Sequence, residues 1–378
     1  MSPRQQAPRG THGFRAPVPQ GAAAGPARRL GPPASQQRLP LGSGRALLLH
    51  RRALTVTVLL VLAALAVMVV TVLTGTYEIS AAGALRVLGG RGGPTDRFIV
   101  LGQRLPRATA TVLVGAMLAL SGAVFQSLSR NPLGSPDIVG FTTGASTGGL
   151  VVILLLGHSD MTQAAGSVPL GTLVGGLLTI ALVYALSARR GIGGQWMILA
   201  GIAVGALLSA VNDYLITRAD IDDALMARTW LFGSLQGADW TLVTVMAVLG
   251  MPLLALAALQ APALDLLEMG DEVAGALGLP VRRARSILLV VAVALTALVI
   301  ALAGPIGFVA LVAPQLARRL CRGGAYFPAV VLMGALLCVA GDTLARTMLA
   351  PFQIPVGLVT SMLGGAYLVW LLAREWKA

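Results

Sequence analysis

Residues 104–140 read RLPRATATVLVGAMLALSGAVFQSLSRNPLGSPDIVG, an apolar run joined to a polar break. No charged residue stands between Arg107 and Arg130, and a helix of about 20 residues crosses the hydrocarbon core of a bilayer. The run is continuous and does not alternate with a period of two, which favours a helix over a barrel strand. We therefore predict a transmembrane helix over 106–128, which the Asn and Pro residues of the break terminate.

The whole chain, like this stretch, is rich in hydrophobic residues and poor in charged ones. Of its 378 residues, 56% are hydrophobic and 11% are charged, and its mean hydropathy is +0.80, whereas about a quarter of the residues of a soluble domain are charged. These values predict an all-α integral membrane protein with about ten transmembrane helices, several of them bent or broken by Gly and Pro. The predicted helices are 53–74, 106–128, 135–156, 166–188, 195–217, 240–260, 281–303, 306–320, 326–349 and 355–373.

The N-terminal segment, residues 1–52, differs from the rest in charge and composition. It holds nine arginines, and the first acidic residue of the chain is Glu78. Because Lys and Arg accumulate in cytoplasmic segments, we predict a multi-pass protein of the cell (inner or plasma) membrane with both termini in the cytoplasm, and no nucleic-acid partner. Little in the segment can be buried, which predicts a disordered tail before a membrane domain at 53–374. Contact of this tail with anionic lipid is the alternative.

Residues 262–280 interrupt the apolar pattern after the sixth predicted helix. Apolar residues precede Gly270 and recur with helical spacing at Ala274 and Leu277, before Gly278 ends the second run. We predict two short amphipathic helices that meet at a Gly turn. The segment is too polar to span a membrane, and its apolar face leaves two interpretations open: a helix lying on the membrane surface, or a knob presented to a cytosolic partner.

The sequence lacks the residue sets that ATP hydrolysis, metal binding and enzyme catalysis require. A phosphate-binding loop needs a Lys after its glycines, and the one Lys of the chain is Lys377, so ATP-driven work requires another polypeptide. Three scattered His and two Cys residues make no metal or catalytic set, which disfavours an enzyme. An ion-coupled secondary transporter, the main alternative, needs acids near the bilayer midplane. The candidates are Asp213 and Asp342, whose neighbours Arg218 and Arg346 favour salt-bridge or helix-end roles instead.

Motifs along residues 54–374 resemble, in their order, those of the permease subunits of iron-siderophore and vitamin B12 (cobalamin) ABC importers. The motifs are RLPR with the block VLVGAMLALSGAVFQSLSRNPLGSPDIVGFTTGAS, then ILAGIAVGALLSA, WLFGSLQGADW, GDEVAGALGLPV, GPIGFVALVAPQLAR and IPVG. The chain departs from the family pattern at Gln315, where a His is usual, at Gln353, where a Glu is common, and at Ala366, where a Pro is usual.

The resemblance implies a type II ABC importer. In such an importer two permeases form a homodimer or heterodimer in the membrane lipid, two cytosolic ATPase subunits bind ATP and Mg, and an extracytoplasmic binding protein delivers the substrate. No cofactor binds the permease itself. The resemblance implies a ferric siderophore as the substrate, and heme and cobalamin stay open as alternatives.

The resemblance also implies roles for particular residues. Outward arginines that engage the binding protein are Arg104, Arg107 and Arg346, and the residues that couple to the ATPase are Gly270, Asp271, Glu272, Ala274, Leu277 and Gly278. We place the pathway or its inner gate near Arg189, Gln195, Asn212 and Asp213. The break that joins two helices predicts a conformational switch at Arg130, Asn131, Pro132 and Pro136.

Overall fold

The computed structural model describes residues 36–40, 46–75, 77, 79–137, 140–155, 161–187, 195–322, 327–350 and 352–375. Helices make up nearly all of this part of the chain. Its elements are β1 Gln36–Pro40, β2 Ala46–His50, α1 Arg51–Leu73, α2 Ala81–Leu88, α3 Pro94–Arg97, a π-helical segment Phe98–Arg104, α4 Leu105–Ser129, α5 Phe141–Leu155, α6 Met161–Ser187, α7 Gln195–Arg218, α8 Ile221–Leu231, α9 Trp240–Leu259, α10 Ala261–Glu268, α11 Asp271–Ala276, α12 Val281–Ala303, α13 Val309–Cys321, α14 Phe327–Thr347 and α15 Val356–Glu375.

Each of the ten predicted transmembrane helices corresponds to a helix of the structure, namely α1, α4, α5, α6, α7, α9, α12, α13, α14 and α15. Seven helices of the described residues are long and apolar enough to cross a membrane, and two further apolar helices, Phe141–Leu155 and Val356–Leu371, are shorter. The remaining helix, α13, has 13 residues with Pro314 inside it. The all-α membrane fold with several short or broken helices is thus confirmed.

The structure differs from the prediction in the N-terminal segment. Residues 36–40 and 46–50, inside the predicted disordered tail, pair as an antiparallel hairpin with Gln36 opposite His50. Residues 1–35 and 41–45 of the tail lie outside the described residues. α1 begins at Arg51, two residues before the predicted membrane domain.

α4 lies at the centre of the bundle and packs against α9, α12, α13 and α14. Small residues bring its backbone against its neighbours. A Cβ atom on Gly122 would stand 1.7 Å from the carbonyl oxygen of Ala310, and one on Gly115 would stand 2.2 Å from that of Gly334. Such close approach increases van der Waals contact between helices in a membrane, where no hydrophobic effect drives them together.

Two non-helical segments interrupt the bundle and meet. The first is the break at 130–140 between α4 and α5, and the second is Gly304–Phe308 between α12 and α13. The backbone N–H of Phe308 donates to Oδ2 of Asp137 over 3.4 Å, and Thr142 donates to its Oδ1 over 2.6 Å. α5 therefore begins at Phe141 and not at the predicted residue 135, because Asp137 binds a segment 171 residues away.

Candidate functional sites

Arg104 and Arg346 bind the C-terminal end of α1. Nη1 of Arg104 donates to the carbonyl of Val72 over 2.8 Å, and its Nη2 donates to that of Tyr77 over 2.5 Å. Nη2 of Arg346 donates to the carbonyl of Thr74 over 3.0 Å. The last four carbonyls of a helix have no partner within it and carry the negative end of its dipole. The two guanidinium groups therefore cap α1.

Arg107 forms a buried ion pair with Asp342. Its Nη2 lies 2.8 Å from Oδ1 of Asp342, its Nε donates to both carboxylate oxygens over 3.1 Å, and its Nη1 donates to Oε1 of Gln353 over 2.9 Å. Gln353, where the family commonly has Glu, thus keeps an acceptor without adding a second negative charge. The predicted salt-bridge role of Asp342 is found, with Arg107 as its partner in place of Arg346.

We call Arg104, Arg107 and Arg346 the arginine cluster. Two of these predicted docking residues are buried: Arg104 is 5% exposed and Arg107 is 9% exposed. Their donors are taken by the end of α1, by Asp342 and by Gln353, and Arg346 is half-buried. Their part in docking a binding protein stays a prediction.

Exposed arginines do lie on the short helices that follow α1 in the sequence. Arg86 on α2, Arg91 after it and Arg97 at the end of α3 are all exposed, whereas Val87 of α2 is buried. Our sequence reasoning missed these helices. The available signal was the amphipathic spacing of Ala81–Leu88 behind Ser80, whose hydroxyl caps the helix by accepting from the N–H of Gly83.

The α10–α11 segment has the predicted form of two short helices joined at a glycine. Gly270 has φ +117 and Gly278 has φ +87, both in the region that favours glycine. One face of the segment is buried through Leu264, Leu267 and Ala274, so Ala274, one of the predicted coupling residues, anchors the segment. The opposite face exposes the apolar side chains of Met269, Val273 and Leu277.

Charged side chains tie this segment to the rest of the bundle. Asp271 forms ion pairs with Arg130 and Arg285, so a predicted coupling residue and a predicted break residue meet directly.

Burial raises the pKa of Asp265 on α10, and the nearby carboxylate of Glu268 raises it further, against the opposing charge of Arg318. Glu272 is exposed. Sequence reasoning missed Glu268, Arg285 and Arg318 because no local pattern marks their partners.

The break at 130–140 is held by side chains from distant helices. The amide nitrogen of Gln315 on α13 donates to the carbonyl of Pro132 over 2.8 Å, and Tyr367 on α15 donates to the amide oxygen of Gln315 over 3.3 Å. Within the break, Asn131 caps its own turn by accepting from the N–H of Leu133 over 2.9 Å. Gln315, a departure from the family pattern, thus links two helices to the break. The carbonyl of Pro136 accepts from the N–H of Phe141, where α5 begins.

The predicted pathway residues are not brought together in the described part of the chain. Arg189 lies outside the described residues, and Gln195 is the first residue of α7. Asn212 is buried, and its Oδ1 has no hydrogen-bond partner among the described residues. Asp213 is exposed on the adjacent face of α7. The role of these four residues stays a prediction.

The sequence that forms these sites matches a known protein family. Residues 59–374 match the model of the FecCD transport family. The chain belongs to the FecCD transport family. This match spans all ten predicted transmembrane helices from within α1 to the end of α15, and it includes the arginine cluster, the break and the α10–α11 segment.

Individual FecCD relatives extend over almost the whole chain. The ferric enterobactin transport system permease protein FepG of Escherichia coli is 43% identical over 326 residues, which cover 86% of this chain and 97% of that permease. The hemin transport system permease protein HmuU of Yersinia pestis is 40% identical over 283 residues, 73% of this chain and 84% of that permease. A solved structure of a metal-chelate type ABC transporter in an inward-facing conformation has a TM-score of 0.71 and 28% identity, and covers 85% of this chain and 99% of its own. This FecCD chain is therefore a multi-pass permease subunit of an ABC importer and not an enzyme.

Proposed function

We propose that this FecCD permease carries ferric siderophores across the cell membrane. The observation that carries the proposal is the 43% identity to a ferric enterobactin permease over 97% of that permease's length. Hemin is the second candidate substrate, because a hemin permease is 40% identical over 84% of its length. Cobalamin, the third candidate of the sequence reasoning, belongs to the same class of metal chelates.

In this proposal the α10–α11 segment docks into a cytosolic ATPase subunit. Its exposed apolar side chains Met269, Val273 and Leu277 form a face that no other described residue covers, and apolar faces of short helices bind in hydrophobic grooves. ATP and Mg bind to the ATPase, and the permease receives the motion. The segment then lies on the cytoplasmic side, which also places both termini there and agrees with the distribution of arginines.

The opposite end of the bundle receives the substrate-binding protein. The exposed residues Arg86, Arg91 and Arg97 supply a positive surface, which complements carboxylates on a binding protein and sets its orientation. Arg104 and Arg346 brace this surface, because they fix the end of α1 from which the chain enters α2, while Arg107 holds Asp342 and Gln353. In our proposal Arg104, Arg107 and Arg346 act in docking through these contacts.

A second permease copy completes the proposed importer. α7 exposes a row of apolar side chains that includes Leu199, Leu207 and Tyr214, and membrane lipid or a second permease covers such a face. We propose a dimer, either of two copies of this chain or with a related permease, in which α7 lines the pathway. Arg189, Gln195, Asn212 and Asp213 belong to this pathway or its inner gate.

Reconstitution tests the proposed substrate. The permease is placed in proteoliposomes with its ATPase and binding protein, and uptake of radiolabelled ferric enterobactin is compared with that of hemin and cobalamin. We expect ATP-dependent uptake of the siderophore that an ionophore does not abolish. Preferred uptake of hemin or cobalamin would show that this compound, and not a ferric siderophore, is the substrate. Ionophore-sensitive uptake at constant ATP would favour the ion-coupled alternative.

A further inference from the structure

Asp271, in the first turn of α11, is shared by two arginines from different elements. Its Oδ1 lies 2.5 Å from Nη2 of Arg130, at the end of α4, and 2.8 Å from Nη2 of Arg285, in α12. One carboxylate therefore joins the α10–α11 segment to two spanning helices. Charge-assisted hydrogen bonds of this kind are shorter and stronger than neutral ones.

Glu268, at the end of α10, makes the matching connection on the other side of Gly270. Its Oε1 lies 2.9 Å from Nη2 of Arg318 on α13 and accepts a hydrogen bond from Ser127 near the end of α4. Arg318 also donates to the hydroxyl of Ser127 over 3.0 Å. We call the six residues of both connections the ion-pair latch: Ser127, Arg130, Glu268, Asp271, Arg285 and Arg318.

The backbone of Arg130 has a conformation that non-glycine residues rarely adopt, as does that of Arg322 at the end of α13. Arg130 ends α4 with φ +50, in the left-handed region, where Gly is the usual residue because it has no Cβ. A side chain at this φ is strained relative to glycine. Arg130 nevertheless supplies the ion pair with Asp271, which a glycine could not form.

The first connection of the latch is exposed to solvent. The side chains of Arg130 and Asp271 are 47% and 45% exposed, and exposed ion pairs open at little cost because water solvates the separated charges. Four latch residues, Ser127, Arg130, Glu268 and Arg318, line a polar cavity of about 230 Å³ between the segment and the break. Gln126 also lines this cavity, and its buried Oε1 has no hydrogen-bond partner among the described residues. A carboxylate that leaves its arginine here meets polar groups and space for water, so the exchange needs no burial of a bare charge.

We propose that the ion-pair latch positions the α10–α11 segment in this conformation and exchanges partners when the ATPase moves that segment. The motion reaches the break at 130–140 through Arg130 and reaches α12 and α13 through Arg285 and Arg318. This inference rests on the proposed importer function. In it Asp271 is a positioning residue that acts within the permease, and the exposed face of Met269, Val273 and Leu277 makes the contact with the ATPase.

The first test measures coupling in the complete transporter in proteoliposomes. We expect Asp271→Asn and Arg318→Gln each to raise the number of ATP molecules hydrolysed per substrate imported by about fivefold, the factor that corresponds to roughly 1 kcal/mol of lost pairing. The matched control is Arg322→Gln at the end of the same helix as Arg318, because Arg322 is exposed and makes no ion pair among the described residues. The charge exchange Glu268→Arg with Arg318→Glu should return the ratio to within about twofold of wild type.

The second test needs no transport. Spin labels are attached to Glu272→Cys on α11 and Leu320→Cys on α13, both exposed, in a permease whose buried Cys321 and Cys338 are changed to Ala. We expect a single narrow distribution of distances between the two labels when Asp271 is unchanged. Asp271→Asn should give a broader distribution or a second distance. ATP binding by the assembled ATPase should produce the same change without the substitution.

The two tests separate the inference from the proposed function. A wild-type transporter that imports no ferric siderophore contradicts the proposed substrate, while the spin-label distances still decide the latch. An unchanged ATP ratio in both single variants overturns the latch as a coupling device. So does a label distance that neither Asp271→Asn nor ATP alters.

Discussion

Two arginine–carboxylate pairs, one at each end of the bundle, are built in opposite ways. Arg107 and Asp342 have side chains that are 11% and 0% exposed, whereas Arg130 and Asp271 have side chains that are nearly half exposed. The buried pair joins spanning helices α4 and α14, and the exposed pair joins α4 to a short helix. The comparison teaches that burial decides what an ion pair does: removing one partner of a buried pair leaves a charge without compensation, while an exposed pair opens at little cost.

The largest effect is expected at the buried pair. Arg107→Gln leaves Asp342 charged and buried, and should lower the free energy of unfolding by about 3–5 kcal/mol, measured by thermal unfolding in detergent. The double variant Arg107→Met with Asp342→Leu removes both charges and should recover most of the loss. A small effect of the single substitution would show that the pair is hydrated and would erase the contrast with Asp271.

Arg104 tests the capping of α1 beside that pair. Arg104→Gln removes the donors to the carbonyls of Val72 and Tyr77 and should cost about 1–3 kcal/mol, measured in the same way. Arg86→Gln on the exposed face of α2 is the control and should change stability by less than about 0.5 kcal/mol. Equal effects of both substitutions would contradict the buried, capping role of Arg104.

Leu277 tests the exposed face at the opposite end. Leu277→Asp should leave the melting temperature of the permease unchanged and raise the Kd for the ATPase about tenfold or more, measured by association in detergent. Leu85→Asp is a matched control, since Leu85 on α2 and Leu277 directly after α11 are both exposed. Normal association of the Leu277 variant would remove the docking role of this face.

At the exposed pair itself, the loss of stability is expected to be the smallest among the charged residues of the two pairs. Asp271→Asn should lower the free energy of unfolding by less than about 1 kcal/mol, and about 0.5 M NaCl should remove the difference because salt screens exposed charges. The Arg107 variant should keep its defect in the same salt. A large, salt-independent loss at Asp271 would show that the latch is a fixed structural pair.

Local patterns were sufficient to predict the transmembrane helices but not their ends or partners. Ten apolar runs became ten helices because crossing a bilayer depends on the length and polarity of each run alone. The start of α5 was predicted six residues too early because Asp137 binds the N–H of Phe308, which no local pattern reveals. The burial of Arg104 and Arg107 could not be predicted for the same reason, since their acceptors lie at the end of α1, on α14 and at Gln353.

The amino-acid sequence by itself determined the membrane class and the transmembrane helices, because hydropathy is a property of residue order. Its missing phosphate-binding Lys assigned any ATP hydrolysis to another chain. The two-helix form of the α10–α11 segment also followed from spacing and glycines. Only the tertiary structure decided which charges are buried and which stay exchangeable. Ion pairs such as Arg107 with Asp342, 235 residues apart, and Arg130 with Asp271, 141 residues apart, arise from helix packing, and helix packing sets the local water content on which the strength of each pair depends.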